Sequence, residues 1–320
     1  MVKAMKKRTV AVLLSAYNGE TNLAAQIDSV LRQDCDAQVT LFIRDDGSTD
    51  HTAAILRAYA AQHGNIEVLF GENSGLCVSF FALLRTALTR GFDYYAFCDQ
   101  DDVWLPDKLS AALRALADVP QPMLYGGCSY LVDASLRKTG GTTQLRRRAL
   151  GFFNTAIQNI CPGHSQVLNR ALAEVIVRRT GALDGVYSWD LWVANAAAVT
   201  GQIFFDPEPH TLYRQHGNNQ LHYGTGKLAW AKSRLARLRK QEGRRFSTQL
   251  AAFAAAFASD LTAEQKQEVA RYFAAQSSFF SRVRYACSTG FYRQRPLETL
   301  AFRVLYALGA YRPVGKESGV

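Results

Sequence analysis

Residues 92–104 read FDYYAFCDQDDVW, and this stretch decides which fold the sequence predicts. Its aromatic and apolar first half, which ends at Cys98, is typical of a buried strand. Four residues follow that strand: Asp99, Gln100, Asp101 and Asp102. Three neighbouring carboxylates raise one another's pKa unless a cation lies among them, and their oxygens suit Mg²⁺ or Mn²⁺. Taken alone, the stretch predicts either a divalent-metal site or an acidic loop before a helix that starts near Pro106.

Two strand ends further upstream also carry polar residues. The short apolar strand 40–44 runs into DDGSTD at 45–50, and the strand 9–16 runs into YNGE at 17–20. In an open parallel sheet, ligands bind beyond the carboxyl ends of the strands. The three strand ends together favour a metal site that also holds phosphate.

The N-terminal half alternates apolar strands with amphipathic helices at short spacing. This alternation predicts an α/β fold with a mostly parallel sheet. Helices are predicted over residues 20–33, 50–63, 76–90, 171–180 and 189–199, and further strands over 66–70, 123–132 and 203–205. The segment 137–148, which contains two adjacent glycines and three consecutive arginines, is predicted to be an exposed loop.

Length and composition indicate a globular protein. The 320 residues are 48% hydrophobic, which is enough to bury one large core or two modest ones. The six cysteines show no C-x-x-C pair, as expected of reduced core thiols in a cytoplasmic protein. Because no apolar run approaches the ~20 residues that cross a bilayer, no transmembrane helix is predicted.

Charge divides the chain into two predicted regions. Residues 1–224 carry 20 Lys+Arg and 21 Asp+Glu, whereas residues 225–320 carry 17 and 6. The first region is predicted to be the catalytic domain and the second a basic, helical C-terminal region. Stretches 227–240 and 297–311 have the period of basic amphipathic helices, which would either lie on an anionic membrane surface or pack on the catalytic domain.

Six motifs, taken together, resemble one enzyme family. They are SAYNGE at 15–20, DDGSTD at 45–50, NSG at 73–75, DQDDVW at 99–104, WDLW at 189–192 and YRQHGNN at 213–219. Their order and spacing resemble the family 2 glycosyltransferases, whose GT-A fold is Rossmann-like, and the last two are similar to motifs of bacterial rhamnosyltransferases. The resemblance covers residues 8–224.

The resemblance implies a nucleotide-sugar donor site at the strand ends. Tyr17 would offer an aromatic face to the base, Asp45 or Asp46 would accept from the pyrimidine N3–H, and the guanidinium of Arg214 would help to neutralise phosphate. The full set of predicted donor-binding residues is Ala16, Tyr17, Asn18, Glu20, Asp45, Asp46, Asn73, Gly75, Asp99, Gln100 and Arg214.

A divalent metal is the expected cofactor. Transfer expels a nucleoside diphosphate, and Mg²⁺ or Mn²⁺ would stabilise its developing negative charge as a Lewis acid. Asp99 and Asp101 are the predicted carboxylate ligands, with Asp101 preferred as the direct one. His216 resembles the family histidine near the metal, although an ordinary surface imidazole is the alternative.

The acceptor hydroxyl must lose a proton as it attacks the anomeric carbon, so a general base is required. Asp190 is the predicted base, because its place between Trp189 and Trp192 would desolvate it and raise its pKa. The alternative for Asp190 is a helix N-cap. Trp189 and Trp192 are weaker candidates for acceptor contact, as is His164, which lies in a CPGHS segment where relatives have Gly-Cys.

These residues predict a metal-dependent, inverting glycosyltransferase. The resemblance suggests transfer of L-rhamnose from dTDP-β-L-rhamnose to a lipid-linked saccharide of a cell-surface polysaccharide, such as O-antigen or cell wall, on the inner face of the plasma membrane. A UDP-hexose or UDP-N-acetylhexosamine donor is the alternative within the same fold. A nucleic-acid-binding protein that uses the C-terminal arginines is disfavoured, because it leaves the acidic strand ends unexplained.

Overall fold

The computed structural model describes residues 7–143, 145–215 and 242–313. In chain order the strands are β1 (Arg8–Ala16), β2 (Ala37–Asp46), β3 (Ile66–Gly71), β4 (Tyr94–Cys98), β5 (Val103–Trp104), β6 (Met123–Gly127), β7 (Tyr130–Val132), β8 (Lys138–Thr142), β9 (Val167–Asn169), β10 (Gln202–Asp206) and β11 (Thr211–Arg214). The helices are α1 (Leu23–Leu31), α2 (Thr52–Gln62), α3 (Leu76–Arg90), α4 (Lys108–Leu116), α5 (Phe152–Thr155), α6 (Arg170–Arg179), α7 (Trp189–Thr200), α8 (Glu242–Ala256), α9 (Ala263–Ala274), α10 (Phe279–Ser288) and α11 (Pro296–Ala307).

The main sheet is mostly parallel. Over the described ranges it has seven strands in the order β10-β6-β9-β4-β1-β2-β3. The pairs β1–β2, β1–β4, β2–β3 and β6–β10 are parallel, and only the short β9 runs antiparallel to its two neighbours. This architecture confirms the predicted α/β fold.

A smaller sheet lies beside the main one, with the order β5-β11-β7-β8. Its last strand, β8, falls in the segment 137–148, where an exposed loop was the expectation. The segment forms a strand because β7 offers it a partner edge: Val132 pairs with Lys138, and Tyr130 pairs with Thr142. Gly140 takes a positive φ of 86°, which glycine tolerates without strain.

The apolar strands explain why the sheet is covered on both faces. All five residues of β4 are buried, as expected for a central strand with helices on either side. One face packs against α1, α2 and α4 through residues such as Ile27, Leu56 and Leu113. The other face packs against α3, α6 and α7.

The C-terminal helices extend the second of these layers. The Trp192 ring of α7 lies 5.2 Å from Phe253 and 6.0 Å from Phe257, between ring centroids, so α8 packs on the sheet layer. In α11, Phe302 and Tyr306 point inward and are buried. The predicted helix 227–240 lies outside the described residues. No helix in the described ranges combines the length and hydropathy that crossing a bilayer requires.

Candidate active site

Strand register brings the polar strand ends to one edge of the sheet. In the β1–β2 ladder Ala16 pairs with Asp45, and in the β1–β4 ladder Leu14 pairs with Cys98. The loops that follow β1, β2 and β4 therefore leave the sheet side by side. The structure thus brings together the three acidic or polar strand ends that the sequence singled out.

The loops after β1 and β2 are fastened to each other. Asn18, which has a left-handed φ of 47°, accepts the Thr49 N–H through its side-chain oxygen at 2.8 Å. Glu20 accepts the His51 N–H at 2.9 Å. Asn18 and Glu20, which were predicted to contact the nucleotide sugar, therefore also hold the two loops together.

Tyr17 and Gln100 join the loops after β1 and β4. The Tyr17 N–H donates to Gln100 Oε1 at 2.8 Å, and Gln100 Nε2 donates to the Tyr17 carbonyl at 3.0 Å. A Cβ at Gly19 would lie 2.4 Å from Gln100 Oε1, so the close approach depends on glycine. The Tyr17 side chain is exposed, and its ring is available to a base at this edge.

Asp46 organises the segment before α3. It accepts the N–H groups of Ser74 at 3.1 Å and Gly75 at 2.9 Å, and it forms an ion pair with Arg44. Burial alone would raise the pKa of Asp46, but these hydrogen bonds and the guanidinium outweigh burial and hold the pKa below its usual range. Asp46 thereby fixes the position of Asn73 and Gly75.

Asp45 is the other carboxylate at the end of β2. It is buried and accepts the Ser48 N–H through Oδ1 at 3.0 Å. Since both oxygens of Asp46 already accept hydrogen bonds from the protein, Asp45 is the better of the two candidates for accepting from a pyrimidine N3–H.

Asp99, Asp102 and His164 form a group that could hold a metal ion, because one ligand atom from each lies within 4.8 Å of the others. His164 Nδ1 is 3.6 Å from Asp102 Oδ2 and 3.8 Å from Asp99 Oδ2. Asp102 Oδ2 is buried and has no hydrogen-bond partner among the described residues. A buried carboxylate oxygen without a partner is costly, and a cation would satisfy it. The oxygen and imidazole donors suit Mn²⁺ or Mg²⁺.

Electrostatics in this group also favour a bound cation. Burial, with the charges of Asp101 and Asp190, raises the pKa of Asp99 to about 7. Burial and the neighbouring Asp101 and Asp99 raise the pKa of Asp102 well above its usual value. Burial, followed by the charge of Lys108, lowers the pKa of His164 to about 3, so its imidazole is neutral and can ligate.

Two neighbours hold the His164 ring in place. Its Nε2 lies 2.8 Å from the Ser129 hydroxyl, and its ring stacks on Tyr213 with centroids 4.8 Å apart. The sequence predicted an acceptor contact here, whereas the structure places His164 beside the carboxylates. Asp102 belongs to the carboxylate cluster that the sequence predicted, but it was not among the predicted ligands, and the CPGHS segment was the only signal for His164.

Asp101 and His216 were the other predicted ligands. The Asp101 charge acts on both Asp99 and Asp102, so its carboxyl group is near the cluster. Its role as the direct ligand stays a prediction. His216 lies outside the described residues.

Arg214 holds the acidic loop of residues 99–102 in place through hydrogen bonds. Its Nε donates to the Asp101 carbonyl at 2.9 Å, and its guanidinium also donates to the Ala134 carbonyl. Its backbone N–H donates to Asp102 Oδ1 at 3.1 Å. The side chain is buried, so the structure gives Arg214 a positioning role in addition to the predicted phosphate contact, which stays a prediction.

Asp190 lies in the first turn of α7, where Ser188 is the N-cap. Asp190 Oδ2 accepts from Asn159 Nδ2 at 2.8 Å, and Oδ1 accepts from the Leu191 N–H at 2.8 Å and from the Ser188 hydroxyl. Burial raises the pKa of Asp190, although hydrogen bonds to the carboxylate offset part of this effect. The raised pKa agrees with the expectation for Asp190, whose role as the base stays a prediction.

The two tryptophans beside Asp190 are core residues. The Trp189 ring packs on Phe80 and Phe97, with centroids 4.2 and 4.5 Å away. The Trp192 indole N–H donates to the Thr180 hydroxyl at 2.8 Å. Both side chains are buried. The predicted acceptor contact by these rings is corrected, because the WDLW stretch lies on a helix whose indoles face the core.

Comparisons of the sequence with known proteins identify relatives. The sequence model of glycosyl transferase family 2 matches residues 11–175. The dTDP-rhamnosyl transferase RfbG of Shigella flexneri is 26% identical over 216 residues, which are 65% of this chain and 73% of RfbG. The putative teichuronic acid biosynthesis glycosyltransferase TuaG of Bacillus subtilis is 35% identical over 128 residues, which are 40% of this chain and 49% of TuaG.

Solved structures share the fold. TarS 1–349 of S. aureus, in complex with UDP-GlcNAc, has a TM-score of 0.54 and 14% identity, and the match covers 95% of this chain and 89% of TarS 1–349. The mannosyltransferase PcManGT of Pyrobaculum calidifontis, in complex with GDP-Man and Mn²⁺, has a TM-score of 0.50 and 18% identity, with 96% and 86% covered. At these identities the likeness shows the GT-A fold alone.

Proposed function

We propose, because this chain belongs to glycosyl transferase family 2, that it transfers L-rhamnose from dTDP-β-L-rhamnose to a saccharide acceptor, with inversion at the anomeric carbon. The likeness to RfbG supports the rhamnosyl donor. The proposed acceptor is a lipid-linked saccharide of a cell-surface polysaccharide, reached from the inner face of the plasma membrane. The relative TuaG, named for teichuronic acid biosynthesis, supports the polysaccharide context.

The observation that carries the proposal is that a candidate base and a candidate metal group share one site. The Gly163 N–H bonds to the Asp190 carboxylate, and Gly163 precedes His164 of the metal group. The Asp190 charge also acts on Asp99. An in-line displacement needs a base for the acceptor and stabilisation of the departing diphosphate within one substrate length.

Asp99, Asp102 and His164 would hold the metal ion, and Asp101 is a further candidate. The ion, when bound, supplies Lewis-acid stabilisation to the diphosphate. Asp45, the Tyr17 ring and the segment fixed by Asp46 would bind the nucleotide. Two hydrogen bonds between Gln100 and the Tyr17 backbone join the Tyr17 loop to the acidic loop.

In the proposed reaction, Asp190 accepts the proton of the acceptor hydroxyl. The hydroxyl oxygen forms a bond to the anomeric carbon while the bond from that carbon to the diphosphate oxygen breaks, and the nucleoside diphosphate leaves with the electron pair. Asn159 and Ser188 hold the carboxylate in one orientation. Burial makes the carboxylate a stronger base than an exposed aspartate.

A panel of sugar nucleotides tests the donor. The thermal midpoint is measured with dTDP-rhamnose, UDP-glucose and UDP-N-acetylglucosamine, each with and without Mn²⁺ or Mg²⁺. We expect dTDP-rhamnose with metal to raise the midpoint most, since a ligand stabilises the state it binds. A larger shift with a UDP-sugar would show the donor assignment to be wrong. Equal shifts without metal would contradict the metal requirement.

A further inference from the structure

The two last helices present an apolar surface that nothing in the described chain covers. We propose that this surface docks on an anionic lipid bilayer and that the protein binds membranes through it. The docking surface consists of Leu297, Leu300 and Val304 of α11 and Leu308 directly after it, and the exposed Phe279 and Phe280 of α10 lie near its Leu308 end. Its link to a lipid-borne acceptor rests on the proposed function, whereas the docking itself is tested independently.

Helix α11 is apolar on two opposite faces. Phe302 and Tyr306 form the buried face. Leu297, Leu300, Val304 and Leu308, spaced at three and four residues, form the other face. Leu297 is 75% and Leu308 is 67% exposed, so the outer face is solvated. A helix with two apolar faces and one packed side has a partner still to bind.

Helix α10 adds two phenylalanines to the same end of the helix pair. The two helices run antiparallel, because Arg282 near the start of α10 donates to the Ala307 carbonyl at the end of α11, at 3.0 Å. Phe280 is 82% exposed. The end of α10 that carries Phe280 therefore lies beside the end of α11 that carries Leu308. Aromatic and leucine side chains of this kind insert at the boundary between headgroups and acyl chains.

Charge selects an anionic partner. Residues 279–313 contain six arginines and one acidic residue, Glu298. Arg284, Arg295 and Arg312 are exposed. Glu298 accepts a hydrogen bond from Gln158, so it is turned toward the protein. Arginines around an apolar surface fit the negative potential of a bilayer that contains anionic lipids.

The same charge argues against two other occupants. Residues 216–241, which the structure does not describe, contain six Lys+Arg and no Asp or Glu, so they would add positive charge to a positive rim. If a second copy of the chain bound through the same surface, the arginines of the two copies would face and repel each other. An anionic bilayer is the partner that the charges favour.

The inner side of α11 contacts the segment that holds the candidate base. Glu298 accepts from Gln158 Nε2 at 3.0 Å, and Arg293 donates to the Ile157 carbonyl at 2.8 Å. The next residue along the chain, Asn159, donates to Asp190. A bilayer on the outer face of α11 would therefore be separated by one helix from the segment that holds Asp190, which suits an acceptor carried on a lipid.

Vesicle sedimentation of the full chain tests the proposal. We expect the protein to bind phosphatidylcholine vesicles that contain phosphatidylglycerol, and to bind pure phosphatidylcholine vesicles at least about tenfold more weakly. The double variant Leu300→Ser/Leu308→Ser should weaken binding to the anionic vesicles at least about tenfold, because two large apolar side chains no longer insert. Leu69→Ser, at an exposed leucine of β3, should leave binding unchanged.

Two double variants that each remove two arginine charges complete the test. Arg284→Gln/Arg295→Gln should weaken anionic binding about 25-fold, at about fivefold per charge, whereas Arg114→Gln/Arg178→Gln, at exposed arginines elsewhere, should change it little. Binding that is equal for both vesicle types, or that survives the leucine changes, overturns the proposal. So does a dimer in solution that dissociates in the leucine variant. Thermal stabilisation by the sugar-nucleotide donor, measured without vesicles, tests the proposed function separately. It should be present whether or not the protein binds membranes.

Discussion

Asp190 owes its chemical character to the groups around its carboxylate. The side chain is held by Asn159, Ser188 and the Leu191 N–H, and burial raises its pKa. We predict that Asp190→Asn lowers kcat by about 10²–10⁴, since the amide cannot accept the proton, and leaves donor-induced thermal stabilisation intact. Asp184→Asn, at an exposed carboxylate in the preceding loop, is the matched control. Full turnover by the Asp190 variant would remove this residue from the mechanism.

The hydrogen bond from Asn159 gives a pH prediction. A base must be deprotonated, so kcat falls as pH decreases through the pKa of Asp190, which lies above the ordinary value for aspartate. Asn159→Ala removes a hydrogen bond that favours the charged carboxylate, so the pKa rises further. The acidic limb of kcat, measured at saturating donor, should move to higher pH by about 1 unit. A uniform loss of kcat with an unmoved limb would contradict this role.

The metal group gives a prediction with a readout other than catalysis. Asp102→Asn and Asp101→Ala should each weaken Mn²⁺ binding, followed by electron paramagnetic resonance, because Asp102 belongs to the candidate metal group and the charge of Asp101 acts on both Asp99 and Asp102. We expect a loss of tenfold or more in Mn²⁺ affinity for Asp102→Asn, since its buried Oδ2 has no hydrogen-bond partner within the part of the chain that the structure describes. Asp118→Asn, at an exposed site, is the control. Undiminished affinity in Asp101→Ala would count against Asp101 as a ligand.

The sequence could place the carboxylates but not their partners. Asp45, Asp99 and their neighbours were predictable because parallel strands end at one edge. The meeting of Asp102 with His164 was not, since it depends on a turn 62 residues away returning to the end of β4. The contacts of Arg214 with carbonyl groups, like the burial of the indoles, depend on side-chain direction, which a motif does not encode.

At the scale of elements, the 3-10 turn Gly163–Ser165 connects the metal group to the base. A Cβ at Gly163 would lie 2.2 Å from the Trp189 ring, which is packed in the core and has little freedom to move. We predict that Gly163→Ala destabilises the fold by about 1–3 kcal/mol and weakens Mn²⁺ binding, because the turn must shift with His164. Thermal unfolding and the Mn²⁺ titration measure both effects.

Gly181 is the control for that substitution. A Cβ there meets no atom within 4 Å, so Gly181→Ala should leave stability and Mn²⁺ affinity nearly unchanged. Equal effects of the two changes would show that the loss at Gly163 does not arise from the contact with Trp189.

Elements were predictable where local pattern and packing agree. The strands and helices of the N-terminal half follow the expected order, because their apolar periodicity matches the faces that the sheet buries. β8 was missed because its pairing depends on the edge of β7 and not on its own residues. In α11, the apolar period was evident, but only tertiary packing decides that Phe302 is covered and Leu308 is not.

At the scale of the whole molecule, the distribution of charge suggests two regions, whereas the apolar core is shared between them. The excess of basic residues suggests a boundary near residue 224, which stays a prediction. One apolar cluster nevertheless contains residues of the sheet layer together with Phe253, Tyr272 and Phe302 of the C-terminal helices. Charge patterning reports the surface, so it does not reveal how the cores beneath that surface are joined.

This shared cluster predicts a single cooperative unfolding transition. Phe253 of α8 stacks on Phe257 at 4.4 Å and contacts Trp192 of α7 at 5.2 Å, between ring centroids. Phe253→Ala should destabilise the entire chain by about 3–5 kcal/mol, because it opens a cavity between the sheet layer and the C-terminal helices. Phe280→Ala, at an exposed phenylalanine, should change the free energy of unfolding by no more than about 0.5 kcal/mol.

Calorimetry should show one unfolding transition in both variants, and a donor analogue with Mn²⁺ should raise the midpoint of that entire transition. Two separate transitions, of which the donor moves only one, would show that the C-terminal helices fold independently of the catalytic sheet.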